Sequence, residues 1–153
     1  MEFNFEGHIK LWLLLSKNIH VAVRNNYKGN GYYNAYGALE TLKKELLQKH
    51  FPEEERSPRN YCFACEAAHL FMEENWIIED DYLCDFCPMQ WPEKRHCDEK
   101  HSLYCQLVCF VENNDIDDAA ELCLKIAYVK PYNGEEYEKP DYRKGKVPAK
   151  ESC

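Results

Sequence analysis

Two Cys-x-x-Cys units stand near the middle of the chain. They are Cys62-Phe63-Ala64-Cys65 and Cys84-Asp85-Phe86-Cys87, with eighteen residues between them. Two residues between thiols let both sulfurs of one turn reach the same ion. Two such turns supply the four thiolates that tetrahedral zinc takes at about 2.3 Å. The expectation is one structural zinc ion held by Cys62, Cys65, Cys84 and Cys87. Four thiolates also suit an iron–sulfur cluster, and zinc is the preferred reading. A thioredoxin-like redox site would place a single Cys-x-x-Cys in an alternating strand–helix context, and that pattern is missing. Two neighbours compete for a place in the ligand set: His69, one helical turn after Cys65, and Cys97, ten residues after Cys87.

A closed four-thiolate site leaves no open coordination position for water, so zinc catalysis is not expected. The chain carries no His-Glu-x-x-His, no Gly-x-Ser-x-Gly, no Walker loop and no dinucleotide fingerprint. The expectation is a protein that is not an enzyme, with no catalytic residues. The acidic runs Glu79-Asp80-Asp81 and Asp117-Asp118 suit a hard cation, but exposed loop and helix-start acids explain them better. Cys105, Cys109 and Cys123 fall on amphipathic helices, where cysteine behaves as a small hydrophobe. The stretch Arg24 to Tyr36 sets Tyr27, Tyr32, Tyr33 and Tyr36 beside Arg24 and Lys28. It reads as a packed loop, a protein-binding patch or a stacking surface for single strands.

The elements that must position these cysteines are helical. Phe5, Ile9, Trp12, Ile19 and Val23 recur at helical steps, and Leu11, Leu14 and Leu15 widen the face, predicting a largely buried helix over 5–24. A second helix is predicted from Asn34, as N-cap, to Phe51. Its stripe is Ala35, Leu39, Leu42 and Leu46, with a Glu40–Lys44 pair on its surface. Residues 52–60 form a connector. Within the metal segment, Glu66 to Glu74 reads as a short helix, Trp76-Ile77-Ile78 as a short strand or an extended return and Cys84 to Pro88 as a tight turn. Helices follow over 102–112 and 115–128, the second opened by Asp115 and Asp118 as a capping-box variant and closed by Pro131. The expected fold is mainly α, about five helices around the zinc knuckle with room for a short β-hairpin. Residues 1–60 make an N-terminal helical pair packing on the core and 61–131 the zinc-knuckle region. Residues 132–153 read as a flexible tail, being rich in Pro, Gly, Lys and Glu.

The pattern Cys62-x-x-Cys65-Glu66-Ala67, then Cys84-x-x-Cys87-Pro88-Met89-x-Trp91, then Cys97, resembles a group of small cysteine-rich zinc-binding proteins encoded by bacteriophages. The likeness covers about residues 61–131. Ala67 stands where an aromatic is usual there and Met89 where leucine is usual. Some zinc-binding phage proteins of this size are anti-CRISPR inhibitors that bind an effector protein. The resemblance thus implies an anti-defence role, with a host protein as partner.

Charge placement bears on the partner. The chain carries −8 overall, yet residues 66–121 hold three basic and fifteen acidic residues, a balance of −12. Such a field repels phosphate and favours a basic protein surface, a nucleic-acid-binding effector among them. A nucleic-acid-binding zinc module or transcription regulator is the competing expectation. Nine cysteines, an odd number, with an acidic N-terminus that lacks a basic leader, point to a reducing cytoplasm. No apolar run approaches the ~20 residues that span a bilayer.

Overall fold

The computed structural model describes residues 3–26, 31–77, 83, 84, 86–92, 97 and 99–131. Among them the regular elements are five α-helices: α1 (Phe5–Asn26), α2 (Tyr32–His50), α3 (Phe63–Glu74), α4 (Leu103–Glu112) and α5 (Ile116–Ala127). Two single-turn 3-10 helices, Glu53–Glu55 and Arg59–Tyr61, occupy the connector between α2 and α3. The fold is mainly α, as expected. In place of a hairpin, the described residues contain one isolated antiparallel bridge, Met89 to Pro131.

α1 is the central helix. Its stripe Leu11, Trp12, Leu15, Ile19, Ala22 and Val23 is buried against α2, α4 and α5 in one continuous core. Two side chains set its register on α5. The His8 Nε2 lies 2.9 Å from the Ile126 carbonyl, and Ser16 Oγ donates to the Ala120 carbonyl at 2.8 Å. These contacts run in opposite chain directions, so the two helices are antiparallel. The α2 stripe of Ala35, Leu39, Leu42 and Leu46 is fully inside, matching its spacing. The helix starts before Asn34, however. Gly31, at φ 99°, is its N-cap without a side-chain bond. That conformation suits glycine and carries no side-chain signature.

Helix α3 also begins earlier than expected. Cys62 is its N-cap, with its sulfur accepting the Cys65 N–H at 3.4 Å, so the first knuckle is the first helical turn. Its end is a Schellman closure: Ile77 N–H bonds the Met72 carbonyl and Trp76 N–H the Glu73 carbonyl. This places Trp76 at φ 59° in a turn, where the sequence suggested an extended return; Ile78 lies outside the described residues. At α5, Asp115 is the N-cap as expected, but its side chain makes no capping bond. The helix ends at Tyr128 through a bond to the Leu124 carbonyl, and Pro131 instead pairs with Met89. The expected tail, 132–153, lies outside the described residues.

A second, smaller core stands apart from the main one. Ala68 and Met72 of α3 pack with Phe86, and Phe71, Ile77 and Leu83 join them. Cys65, Cys84, Cys87 and Cys97 share a cavity with Leu83, which packs on the small core, and Trp91, which packs on the large one.

Candidate metal centre

The backbone turns sharply into the first knuckle. Asn60 and Tyr61 both take left-handed conformations, at φ 56° and 52°. Asparagine tolerates this region, and a tyrosine there costs on the order of 1 kcal/mol. Two contacts hold the bend: Glu66 Oε2 accepts the Arg59 N–H at 2.7 Å, and Lys43 Nζ donates to the Asn60 carbonyl at 3.3 Å. The second knuckle is a single turn closed by Cys87 N–H on the Cys84 carbonyl at 3.3 Å. Just beyond it, Gln90 N–H bonds the Lys130 carbonyl and Gln90 Nε2 the Pro131 carbonyl, tying this strip to the chain after α5.

The two knuckles come together, and a fifth thiol joins them. Cys65, Cys84, Cys87 and Cys97, with Leu83 and Trp91, line a cavity of about 10 Å³, roughly one water-sized sphere. The thiols touch in pairs. Cys62 hydrogen-bonds Cys65, and Cys84 hydrogen-bonds Cys97. Cys87 lies close enough to Cys62 and Cys84 to feel both. Among the described residues, no three of His, Cys, Asp or Glu are grouped so that they could hold a metal ion as their side chains stand. The protons shared within these thiol pairs are those that metal binding would displace.

The pairing splits the acidities. A hydrogen bond from Cys65 lowers the Cys62 thiol to about 6; burial opposes this, and the Lys43 charge assists. The same hydrogen bond and burial push Cys65 well up. Burial raises Cys87 to about 12, and its bond with Cys84 followed by burial raises Cys97.

Two observations fit a bound cation. The Trp91 indole N–H is buried without a partner of hydrogen-bond geometry, although it is near enough to the Cys87 sulfur to favour the thiolate there, against the larger effect of burial. A thiolate at Cys87 would accept it. Secondly, Lys43 is a buried ammonium, its side chain 4% exposed. It pairs with Glu40 at 2.9 Å, lies 3.4 Å from the Tyr104 hydroxyl and 5.0 Å from that ring's centre. The Tyr104 hydroxyl also bonds Glu40. The Lys43 charge also reaches the Cys62 sulfur and helps to lower that thiol. The expected surface pair of Glu40 with Lys44 is replaced by this buried one, because position 43 faces α4 while Lys44 points to solvent.

Lys43 and Trp91 carried no signal of metal chemistry in the sequence; only the fold brings them to the cysteines. His69 stands away from the cavity lining and pairs with Glu73 at 3.0 Å. In the tyrosine stretch, Tyr32 stacks on Tyr36, and Tyr36 packs edge-on against Tyr104, while Tyr33 is exposed. Tyr27 and Lys28 lie outside the described residues, as does Glu79-Asp80-Asp81. Cys105 and Cys123 are buried in the helices, as their pattern suggested. No helix among the described residues is long and apolar enough to cross a membrane. Comparison with known proteins finds no matching family model, no matching curated protein and no matching solved structure.

Proposed function

We propose that this chain is a zinc-stabilised binding protein that makes no bonds of its own and grips a basic protein through an acidic surface. The observation that carries the zinc half is the gathering of four thiols from three separate segments around one small cavity, with the buried Trp91 indole N–H close to the Cys87 sulfur. A neutral thiol is only a weak acceptor for that N–H, and a metal-bound thiolate at Cys87 would be a stronger one.

The binding half is supported by what surrounds the centre. Trp76 is 89% exposed at the end of α3, next to the exposed carboxylates Glu73 and Glu74. Asp115, Asp117, Asp118 and Glu121 are exposed along the first half of α5. A large exposed aromatic among carboxylates suits arginine-rich surfaces, by ring stacking and charge pairing. A nucleic-acid-binding effector has such a surface, which connects this reading to the anti-defence role that the phage resemblance implies.

The test has two arms. Elemental analysis of the purified chain is expected to give one zinc per molecule. Capture from a bacterial lysate is expected to retain basic proteins that elute between about 50 and 300 mM salt and are lost with Trp76→Ala or Glu73→Lys/Glu74→Lys. Metal-free protein sinks the first half. Partner binding indifferent to salt, or tight binding of DNA or RNA in a mobility shift, sinks the second and favours the nucleic-acid module.

A further inference from the structure

The cysteine centre holds one sulfur more than tetrahedral zinc takes. The five thiols are not equivalent. Cys65, Cys84, Cys87 and Cys97 line the cavity, and Cys62 stands outside that lining. The Cys62 sulfur neighbours the others, hydrogen-bonding the Cys65 thiol, but it serves as the N-cap of α3, where it accepts the Cys65 N–H.

Cys97, in contrast, is positioned by the main core. Its side chain packs against that core, as does Trp91, with which it lines the cavity. Its carbonyl accepts the Ser102 hydroxyl at 2.7 Å, and the same Ser102 oxygen accepts the Cys105 N–H to cap α4. The start of α4 therefore fixes the backbone at Cys97, and its thiol meets that of Cys84.

We propose that the ligands of the zinc ion are Cys65, Cys84, Cys87 and Cys97, and that Cys62 acts as the cap of α3. This rests on the zinc reading given above and departs from the ligand set that the two Cys-x-x-Cys units suggest. In this arrangement the ion joins three places: the first turn of α3, the 84–87 turn and the approach to α4. It thereby clamps the small core to the large one. A Cys62 ligand would instead duplicate the tie that Cys65 already makes from the same helical turn.

The substitution that separates the two ligand sets is mild at one position. Serine is a preferred helix cap, and Ser102 already does that work for α4. Cys62→Ser therefore keeps the cap while removing the sulfur. In the full chain, Cys62→Ser is expected to retain one zinc, with affinity against a competing chelator within about threefold of the parent and an unchanged thiolate-to-metal charge-transfer band with cobalt. Cys97→Ser is expected to bind about a hundredfold more weakly or worse, since it removes a ligand outright. A measurement on the parent chain avoids any folding defect in the variant: alkylation of each cysteine followed by mass spectrometry, with and without zinc. Zinc is expected to protect Cys65, Cys84, Cys87 and Cys97 as ligands, and to slow alkylation at Cys62 by no more than it slows hydrogen exchange at the α3 amides that Cys62 caps. Loss of zinc in Cys62→Ser, retention of parental affinity in Cys97→Ser, or zinc protection at Cys62 in place of Cys97 would each overturn the assignment. A parent chain that carries no zinc would sink the zinc reading itself, and this assignment with it.

Discussion

Lys43 is the residue whose role is least conventional. A lysine at 3% exposure keeps its charge only where partners replace water, and here they are Glu40, the Asn60 carbonyl and the face and hydroxyl of Tyr104. The Asn60 contact places this charge at the bend that delivers Cys62. Replacing it with methionine keeps the stem and removes the charge. Glu40 then keeps the Tyr104 hydroxyl but loses its counter-ion, and the Asn60 carbonyl loses its donor. Lys43→Met is expected to lower the unfolding free energy by about 2–4 kcal/mol, as for other broken buried pairs, measured by urea denaturation. Removing a positive charge beside thiolates also favours their protonated forms. The thiol concerned is Cys62, so the pH at which it becomes reactive should move upward, followed by alkylation and mass spectrometry. A variant as stable as the parent, with the same pH dependence at Cys62, would mean that Lys43 is tolerated at its site and contributes to neither the bend nor that thiol.

At the level of elements, the contact of α1 with α5 makes a pH-dependent joint. His8 is 2% exposed, among the rings of Phe3, Phe5 and Trp12. Burial lowers its pKa from 6.5 to about 4, against the opposing effect of its bond to the Ile126 carbonyl. Between these two values the unfolded chain holds more protons than the folded one, so stability falls as pH falls. The loss begins near pH 6.5 and is complete near pH 4, where it amounts to about 3 kcal/mol. His8→Phe should flatten this acid limb, since the Ile126 carbonyl still receives the Val129 N–H. An acid limb of unchanged depth in that variant, measured by thermal melts from pH 7 to 4, would assign it to other groups. The same helices indicate what the sequence could reveal. The α1 stripe was legible because its inner face is apolar from Leu11 to Val23, with the buried polar groups His8 and Asn26 at its two ends; Phe5, Ile9 and Leu14, also expected inside, are only half-buried. The start of α2 was not, because a glycine cap leaves no side-chain mark. Nor was the start of α3, where a cysteine stands in the place of the usual Ser or Asp. The meeting of the two Cys-x-x-Cys turns followed from spacing alone. The approach of Cys97, Lys43 and Trp91 depends on how α2 and α4 cross, which local pattern does not encode.

Over the whole molecule, stability is divided unequally. The main core draws on α1, α2, α4 and α5 and contains most of the large buried aliphatics. The small core has three buried residues and three flanking ones. An apolar cluster of that size cannot offset the chain entropy of the segment it orders, so α3 and the 83–89 strip need the cysteine centre to stay closed. Phe63 against Phe51 is the one ring contact recorded between α3 and the large core. Removing zinc should therefore open the molecule locally. In hydrogen exchange, chelated protein is expected to lose protection across residues 64–74 by about a hundredfold or more, while the amides of α1, α4 and α5 change little. Far-UV dichroism should fall by no more than the share of α3, and the main thermal transition should persist. Restoring one equivalent of zinc should restore the slow amides. Uniform acceleration along all five helices would mean instead that the centre holds the entire fold, as in small zinc fingers. An unchanged α3 would mean that its apolar contacts suffice and that the thiols serve some purpose other than fastening it.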